Sequence, residues 1–268
     1  MSEQSKTVFV TGGHGFIGSH VVRNLVERGY SVRLLVRKSS KTHRVDDIPH
    51  EKFVGDILDL ESMREGMTGC TSCVHLAGIS AYKDMQEDWT IPTIVEGTTN
   101  VFKLAKELGL QRVVYIGSGL TYASYDKERV ANEDSPFLLA DSGLFYAIGK
   151  HRADAVVDDY VAAGLDVVVA IPMETYGPND DEFLTTGYLK EAINSWPALA
   201  TRGGTSFAHV DDVAEGICLS LEGGKAGERY ILGGENATIK EIIELTLEVA
   251  GKPKSVVVLP TGLTKFVL

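Results

Sequence analysis

Short apolar runs alternate with longer segments of helical periodicity through the first two thirds of the chain. The apolar runs predict strands at 7–11, 31–36, 52–54, 72–76, 112–116 and 166–171. Between them, apolar residues recur every three or four positions, which predicts a helix beginning at Phe16 and further helices at 58–67, 93–108 and 142–163. Strands that are apolar on both faces and separated by helices indicate a parallel sheet covered on both sides. We therefore expect an α/β fold with a doubly wound parallel sheet.

The pattern changes after Ile171. A loop rich in Pro, Gly, Asn and Asp is predicted at 172–181, followed by a helix that ends near Pro197. The later segments predict a loop at 201–205, a strand at 207–210, a helix at 213–221, a strand at 230–232 and an amphipathic helix at 238–250. We expect one domain over 1–171, with 205–235 packing back onto it, and a smaller region over 172–268 that is short at its C-terminal end.

The composition and charge of the chain exclude several classes of partner. Lys and Arg number 26 against 37 Asp and Glu in 268 residues, a net charge of −11, which argues against nucleic acid and against an anionic membrane surface. No apolar run approaches the ~20 residues of a membrane helix, and the N-terminus lacks a signal-peptide pattern. The three cysteines lack the neighbours of a zinc or redox site, and the histidines at 14, 75 and 209 are expected to pack or hydrogen-bond locally. We expect a soluble, reduced, cytoplasmic protein without a bound metal.

A glycine-rich turn follows the first strand and precedes the first helix. The segment from Thr11 to Gly18 places glycines at 12, 15 and 18. In such a turn the first glycine permits the tight bend, the second lets a pyrophosphate approach the backbone, and the third allows close helix–strand packing. The N–H groups and the dipole of the helix N-terminus then favour the anion. This context predicts a dinucleotide-binding domain of the Rossmann type over 1–171, and the smaller region is then expected to bind the substrate.

The end of the second predicted strand bears on which dinucleotide is bound. NAD sites carry an acid there, about 20 residues past the glycines, that binds the ribose 2′-hydroxyl. This chain has Arg37 and Lys38 instead, and the stretch from Arg33 to Arg44 contains five cations and no carboxylate. A local excess of positive charge is what a 2′-phosphate requires. NADP is therefore the expected cofactor, with NAD as the second candidate and a solvated charge run as the alternative.

A tyrosine and a lysine four residues apart lie on the helix predicted after the fifth strand. Residues at that spacing share one helix face, so Tyr146 and Lys150 can point at one substrate. A phenol has a pKa near 10 in water, and a neighbouring ammonium favours the phenolate and lowers that pKa. Ser118, at the carboxyl end of the strand 112–116, could hydrogen-bond the reacting oxygen. The Tyr–Lys pair alone is weak evidence, and its place on this helix strengthens it.

Taken in order, these motifs resemble the extended short-chain dehydrogenase/reductase family, part of the NAD-dependent epimerase/dehydratase superfamily. The resemblance rests on the glycine turn at 11–18, Asp56, His75-Leu76-Ala77-Gly78, Ser118 before Tyr122, Tyr146 with Lys150, Tyr176-Gly177-Pro178, and the segments 209–214 and 230–234. These segments span nearly the whole chain. Within the family, the chain looks most like the dihydroflavonol 4-reductase-like branch.

The resemblance implies roles for particular residues. Ser118, Tyr146 and Lys150 would form the catalytic triad, and Ser118 would also touch the substrate together with Tyr82 and Met173. The cofactor would contact Gly12, Gly15, Phe16, Ile17, Gly18, Arg37, Lys38, Asp56, Ile57, Leu76, Ala77, Gly78, Tyr146, Lys150, Pro172 and Thr175. Many members of the family dimerise through the helices that correspond to 93–108 and 142–163, so a homodimer is expected.

Three departures from the family pattern bear on substrate and mechanism. Nucleotide-sugar enzymes of the family usually carry an Arg at the position of Thr205, where it grips the substrate diphosphate, and the family's Asn before Val-x-Gly-Thr is Ile94 here. Relatives also normally run on for several dozen residues beyond Leu268. We expect an NADP(H)-dependent reductase, or in reverse a dehydrogenase, of a small, uncharged, partly apolar carbonyl compound. A nucleotide-sugar epimerase or dehydratase and a non-catalytic NADP(H) sensor are the alternatives.

Overall fold

The computed structural model describes residues 6–78, 84–122, 130–183 and 185–260, which cluster into two compact units. The first unit consists of Met1–Pro172 and Val210–Leu232, and the second of Met173–His209 and Gly233–Leu268. The part of the last third that joins the first unit is shorter than the expected 205–235. The reason is that the strands Gly204–His209 and Glu235–Thr238 pair with each other in the second unit.

Strands and helices alternate in the described residues as an α/β fold requires. The strands are β1 (Thr7–Thr11), β2 (Ser31–Val36), β3 (Glu51–Val54), β4 (Ser72–His75), β5 (Arg112–Ile116), β6 (Val167–Pro172), β7 (Glu174–Tyr176), β8 (Ala198–Ala200), β9 (Gly204–His209), β10 (Arg229–Leu232), β11 (Glu235–Thr238) and β12 (Val256–Val258). The helices are α1 (Phe16–Glu27), α2 (Leu60–Met67), α3 (Thr90–Glu107), α4 (Phe145–Ala162), α5 (Gly187–Asn194), α6 (Val210–Gly223) and α7 (Ile239–Val249), with a 3₁₀ turn at Gly119–Tyr122. Within the described ranges, no helix combines the length and the apolar character that crossing a bilayer demands.

The first unit is built on a seven-stranded sheet in the order β10-β6-β5-β4-β1-β2-β3. Every neighbouring pair of strands in it is parallel. The chain builds outward from β1 through β2 to β3 and then returns to place β4 on the other side of β1. The topology therefore switches between β1 and β4, the point at which such sheets bind ligands beyond the carboxyl ends of the strands. The predicted Rossmann-type, doubly wound parallel sheet is confirmed.

Helices α3 and α4 pack closely on one face of this sheet. Gly149 of α4 makes the close approach feasible, because a Cβ at this position would lie 3.1 Å from Cδ1 of Ile94 on α3. Phe102 of α3 packs on the sheet, where its ring meets that of Tyr115 on β5 edge to face with centroids 6.0 Å apart, and both side chains are fully buried. This packing holds the helix of the predicted Tyr–Lys pair. The homodimer expected through α3 and α4 stays a prediction.

The second unit contains two small sheets and two helices. In one sheet β9 is antiparallel to β11 and parallel to β7, and in the other β12 pairs with β8. Helix α7 begins with a capping box, in which Thr238 Oγ1 accepts from the backbone N–H of Glu241 and the Glu241 carboxylate accepts from that of Thr238. Strands β7, β8, β11 and β12 are not predicted from sequence. They are defined by pairing, β7 and β11 with β9, and β8 with β12.

Candidate active site

The glycine-rich turn between β1 and α1 is closely packed against the segment that follows β4. Gly12 has a φ of 72°, and a Cβ there would lie 2.6 Å from the backbone nitrogen of Ala77. A Cβ at Gly18 would lie 2.3 Å from the carbonyl oxygen of Gly12. A positive φ is costly for residues with a side chain, and the obstructing atoms belong to the backbone. The geometry therefore explains the glycines at 12 and 18.

The N-terminus of α1 is open to an anion. Its N-cap residue, Gly15, makes no side-chain cap, and the first turn of the helix contains no acidic residue. A Cβ at Gly15 would meet only the carbonyl oxygen of Gly12, at 3.3 Å. Uncapped N–H groups at a helix N-terminus, with no side chain in front of them, favour a pyrophosphate. The turn fits a dinucleotide, and Phe16 and Ile17 are the first residues of the helix behind it.

A chain of hydrogen bonds joins the carboxyl ends of β1 and β4. Thr11 Oγ1 lies 2.7 Å from Nδ1 of His75 and accepts from the backbone N–H of Ala77 at 3.1 Å. On its other side, Nε2 of His75 lies 3.2 Å from Oγ1 of Thr98. Burial lowers the pKa of His75 to about 3, so the imidazole is neutral and bridges two hydroxyls. These bonds position the segment 76–78 beside the glycine turn, and His75 has the local role expected of it.

Positive charge gathers where β2 ends. Arg37 and Lys38 follow the strand directly and are exposed. Burial lowers the pKa of His14 in the glycine turn, and the charges of Arg37 and Arg44 lower it further. Both guanidinium groups therefore lie close enough to the turn to act on His14. A neutral imidazole and the positive charge of two arginines leave this side of the turn suited to a negatively charged group.

Arg33 does not belong to this basic group, although the sequence counts it among five cations. Its guanidinium bonds to the Glu51 carboxylate at 3.1 Å and donates to the carbonyl oxygens of Gly66 and Thr68. The reason is its place within β2, three residues before the strand ends. The Arg33 side chain consequently meets β3 and the end of α2. Four cations remain near the carboxyl end of β2, at positions 37, 38, 41 and 44.

Ser118 and Tyr146 meet beyond the carboxyl end of β5. Ser118 is 8% exposed, and its hydroxyl accepts from the backbone N–H of Leu120 at 3.3 Å. Burial raises the pKa of the Tyr146 phenol, and a hydrogen bond with the Ser118 side chain opposes that rise. The expectation that Lys150 brings this pKa down towards neutrality is therefore wrong in direction, because burial dominates. At neutral pH, Tyr146 holds its proton.

Lys150 lies one helical turn beyond Tyr146 and is 5% exposed. Its Nζ donates to the carbonyl oxygen of Ile116, the last residue of β5, at 2.7 Å. Burial lowers the Lys150 pKa to about 8, and the charge of Asp154 opposes that shift. The lysine is thus tied to the strand end that leads into Ser118, so the three predicted catalytic residues come together.

Two further loops that the sequence assigns to the cofactor are held by their neighbours. Nδ2 of Asn100 on α3 donates to the carbonyl oxygen of Ile57 at 3.0 Å. Asp56, which precedes Ile57, stabilises a turn there, because its Oδ1 accepts from the backbone N–H of Leu58 at 3.0 Å. After β4, a Cβ at Gly78 would lie 3.6 Å from Nζ of Lys150. The segment 76–78 therefore connects the glycine turn on one side with Lys150 on the other.

The remaining predicted contacts lie at the end of the first unit or outside it. Pro172 is the last residue of β6, whereas Met173 and Thr175 belong to the second unit. Thr175 is 2% exposed, and its hydroxyl donates to the carbonyl oxygen of Met173 at 2.9 Å. Tyr82 lies outside the described residues. The cofactor and substrate contacts expected of these four residues stay predictions.

A family model matches most of the chain. The model describes the NAD dependent epimerase/dehydratase family and covers residues 8–233. The chain belongs to this family. It is an NAD(P)-dependent enzyme of the extended short-chain dehydrogenase/reductase type, as the glycine turn and the ordered motifs predict.

Members of the family resemble the chain along most of its length. A Synechocystis protein provisionally named dihydroflavonol 4-reductase is 31% identical over 251 residues, which are 91% of this chain and 73% of the relative. The 4-hydroxy-2-methyl-3-oxo-4-farnesyl-3,4-dihydroquinoline-1-oxide ketoreductase of Stigmatella aurantiaca is 29% identical over 255 residues, again 91% and 73%. The structure of a dTDP-glucose 4,6-dehydratase from Streptomyces venezuelae with NAD bound is 28% identical, with a TM-score of 0.82 over 96% of this chain and 85% of that one. Reductases and nucleotide-sugar enzymes of the family are both similar to this chain.

Two parts of this family site are not predicted from the sequence. One is His14, whose pKa is lowered by the charges of Arg37 and Arg44, although the sequence predicts only a packing or hydrogen-bonding role for it. Asp154 is 9% exposed and lies one turn beyond Lys150 on α4. The repeated spacing of four residues from position 146 through 150 to 154 is a signal that identifies Asp154, since it places all three side chains on one helix face.

Proposed function

We propose that the chain is an NADP(H)-dependent reductase of small, uncharged, partly apolar carbonyl compounds, or a dehydrogenase of the corresponding alcohols. The observation that carries this proposal is the meeting of Ser118, Tyr146 and Lys150 at the carboxyl end of β5. Gly78 connects this group to the glycine turn. When bound, the reduced cofactor supplies the hydride that carbonyl reduction requires.

Tyr146 supplies the proton in this proposal. Its raised pKa keeps the phenol protonated at neutral pH, so it is ready to donate to a carbonyl oxygen on which negative charge develops. The hydroxyl of Ser118 bonds to the phenol and orients the same carbonyl oxygen. The Lys150 ammonium adds positive charge within the buried site, which favours the phenolate left after proton transfer.

The proposed substrate class rests on the lack, in the described part of the chain, of a suitably placed cation for the diphosphate of a nucleotide sugar. A nucleotide sugar carries a diphosphate, and burying it without a bidentate cation leaves its charge poorly compensated. On β9 the residue is Thr205, where nucleotide-sugar enzymes of the family usually carry Arg, and Arg202 lies in the exposed loop before the strand. Relatives named for reducing a ketone or a dihydroflavonol support the same class. Both observations favour an uncharged carbonyl substrate over a nucleotide sugar.

A panel of aromatic and aliphatic aldehydes and ketones, followed by NADPH absorbance, tests the proposal. We expect turnover of at least one partly apolar member of the panel, and no measurable binding of UDP- or dTDP-sugars in a calorimetric titration. Micromolar binding of such a sugar that disappears in Arg202→Ala would contradict the proposal and favour an epimerase or dehydratase. NADPH binding without turnover of any carbonyl compound would favour the sensor.

The cations after β2 are expected to set the cofactor preference. NADPH should bind more tightly than NADH, and Arg37→Asp should narrow or invert this preference, because aspartate removes a phosphate contact and offers an acceptor for a ribose 2′-hydroxyl. A hydrogen bond to a charged group is worth about 1.5–3 kcal/mol, so NADPH affinity should fall by about tenfold or more. Fluorescence titration with both reduced cofactors measures the change.

The control for this variant is Lys103→Asp, which makes the same charge reversal at an exposed position of α3. It should leave both cofactor affinities unchanged. Equal affinities for NADPH and NADH in the unmutated protein would show that the basic group does not select the 2′-phosphate.

A further inference from the structure

The buried ammonium of Lys150 has no ion-pair partner in contact with it among the described residues. Its Nζ donates to a neutral acceptor, the carbonyl oxygen of Ile116, at 2.7 Å. The ring of Tyr115 on β5, with its centroid 5.0 Å from Nζ, adds a cation–π contact. A charge taken out of water is costly unless an opposite charge compensates it. The charged form of Lys150 therefore needs a carboxylate nearby.

Asp154 is placed to meet that need. It follows Lys150 by four residues on α4, the spacing at which side chains on a helix are neighbours. It is itself 9% exposed. The two groups act on each other in the expected sense, because the carboxylate raises the pKa of Lys150 and the ammonium lowers that of Asp154.

A cavity of about 350 Å³ in the first unit reaches Asp154. Asp158 and Arg229 also line it, and Arg229 Nη2 donates to Asp158 Oδ1 at 2.7 Å. The charge of Arg229 lowers the pKa of Asp154 as well. Asp154 therefore lies between the buried ammonium of Lys150 and a cavity whose wall also contains the Arg229–Asp158 ion pair.

Other titratable groups face the two residues from the neighbouring elements. His75 on β4 and Tyr146 on α4 lie on the Lys150 side. Tyr115 on β5 faces both Lys150 and Asp154. The groups on the Asp154 side are Tyr122 on the 3₁₀ turn, and Glu133, His151 and Arg152 along the cavity. Among these neighbouring groups, Asp154 has the carboxylate that raises the pKa of Lys150.

We propose that Asp154 is a positioning residue of the active site, whose carboxylate keeps the Lys150 ammonium charged inside the protein. The proposal deepens the proposed function and rests on it, since the charge of Lys150 serves chemistry only where Tyr146 and Lys150 act on a substrate. Asp154 itself touches neither the substrate nor the cofactor in this role. It acts through Lys150.

The pH range in which both groups are charged follows from their pKa values. Burial raises the pKa of Asp154 to about 6 and lowers that of Lys150 to about 8. The carboxylate forms as pH rises through about 6, and the ammonium is lost as pH rises through about 8. Without the carboxylate, burial acts on Lys150 unopposed, its pKa falls further, and the ammonium is lost at a lower pH.

Titration of Lys150 by NMR tests the proposal without substrate. In protein labelled with [ε-¹³C]lysine, the Lys150 resonance is the one that disappears in Lys150→Arg. We expect this resonance to titrate near pH 8 in the unmutated protein and about one pH unit or more lower in Asp154→Asn. Asp154→Glu should restore most of the shift. The matched control, Asp159→Asn, removes an exposed carboxylate from the same helix and should not move the resonance.

The pH profile of turnover gives the second readout. In Asp154→Asn the basic limb of kcat should move to lower pH by the same interval as the Lys150 titration, and Asp154→Glu should return it. Asp154→Ser offers a second neutral variant where Asn does not fold. An unchanged Lys150 titration in a folded neutral variant would overturn the proposal. A shifted titration in a protein that reduces no carbonyl compound would instead uphold the action of Asp154 on Lys150 and contradict the proposed function.

Discussion

Tyr146→Phe is expected to lower kcat for carbonyl reduction by on the order of 10² or more, the usual scale for losing a general acid, with NADPH affinity nearly unchanged. The substitution removes the hydroxyl that interacts with the Ser118 side chain and leaves the partly buried ring in place. The carbonyl oxygen then loses the phenol that is proposed to supply its proton. Steady-state NADPH consumption with a substrate from the panel measures the loss, and fluorescence titration measures cofactor affinity.

Tyr160→Phe is the matched control for this variant. Tyr160 lies on the same helix, and its ring meets that of Phe102 with centroids 5.6 Å apart, so the loss of its hydroxyl should leave turnover unchanged. A Tyr146→Phe protein with near-normal turnover would show that the proton comes from another group.

Lys150→Ala is expected to damage both cofactor binding and turnover. The Lys150 side chain lies beside Gly78, in a segment assigned to the cofactor, and its ammonium is bonded to the end of β5 that leads into Ser118. We expect NADPH affinity to fall by about tenfold, as for the loss of a hydrogen bond to a charged group, and kcat to fall by on the order of 10². Cofactor titration and steady-state kinetics separate the two effects.

Two further variants show whether the Lys150 effect is chemical. Lys106→Ala removes another lysine that donates to a backbone carbonyl, that of Ala163 at 2.9 Å, and should leave cofactor binding and turnover unchanged.

Lys150→Met removes the ammonium but keeps the length of the side chain. Burial depresses the Lys150 pKa, so folding disfavours the ammonium below its unfolded pKa of 10.5, and this penalty fades as pH rises. Lys150→Met should therefore lose as much kcat at pH 7 as Lys150→Ala does, without a large fall in Tm.

The fold could be predicted from the sequence where the pattern is long and apolar. Strands β1, β5 and β6 are five or six residues long and almost entirely buried, and β2 buries four of its six residues, so their apolar runs predict them. Most strands in the two-stranded and three-stranded sheets of the second unit could not be predicted from the sequence, because they are defined by pairing with a neighbouring strand. Glu235–Thr238, for example, is polar in sequence, and it becomes a strand by its register with β9.

The site could be predicted where its residues share an element or a strand end. Tyr146 and Lys150 share a helix face, and Ser118 follows a strand, so their positions in the sequence predict that the three lie near one another. The burial of each side chain in the site could not be predicted from the sequence. It reverses the expected direction of the Tyr146 pKa, and the contact that removes Arg33 from the basic group is with a neighbouring strand and helix.

The close packing of Gly12 and Gly18 has a consequence for how this enzyme can diverge. At both positions a single added carbon would collide with backbone atoms. Nearly every substitution there should therefore disrupt the turn and be removed by selection. Arg37 and Lys38 are exposed beyond the strand, and changes at these positions cost the fold little. Substitutions among descendants of this sequence should therefore accumulate at Arg37 and Lys38, while Gly12 and Gly18 stay unchanged.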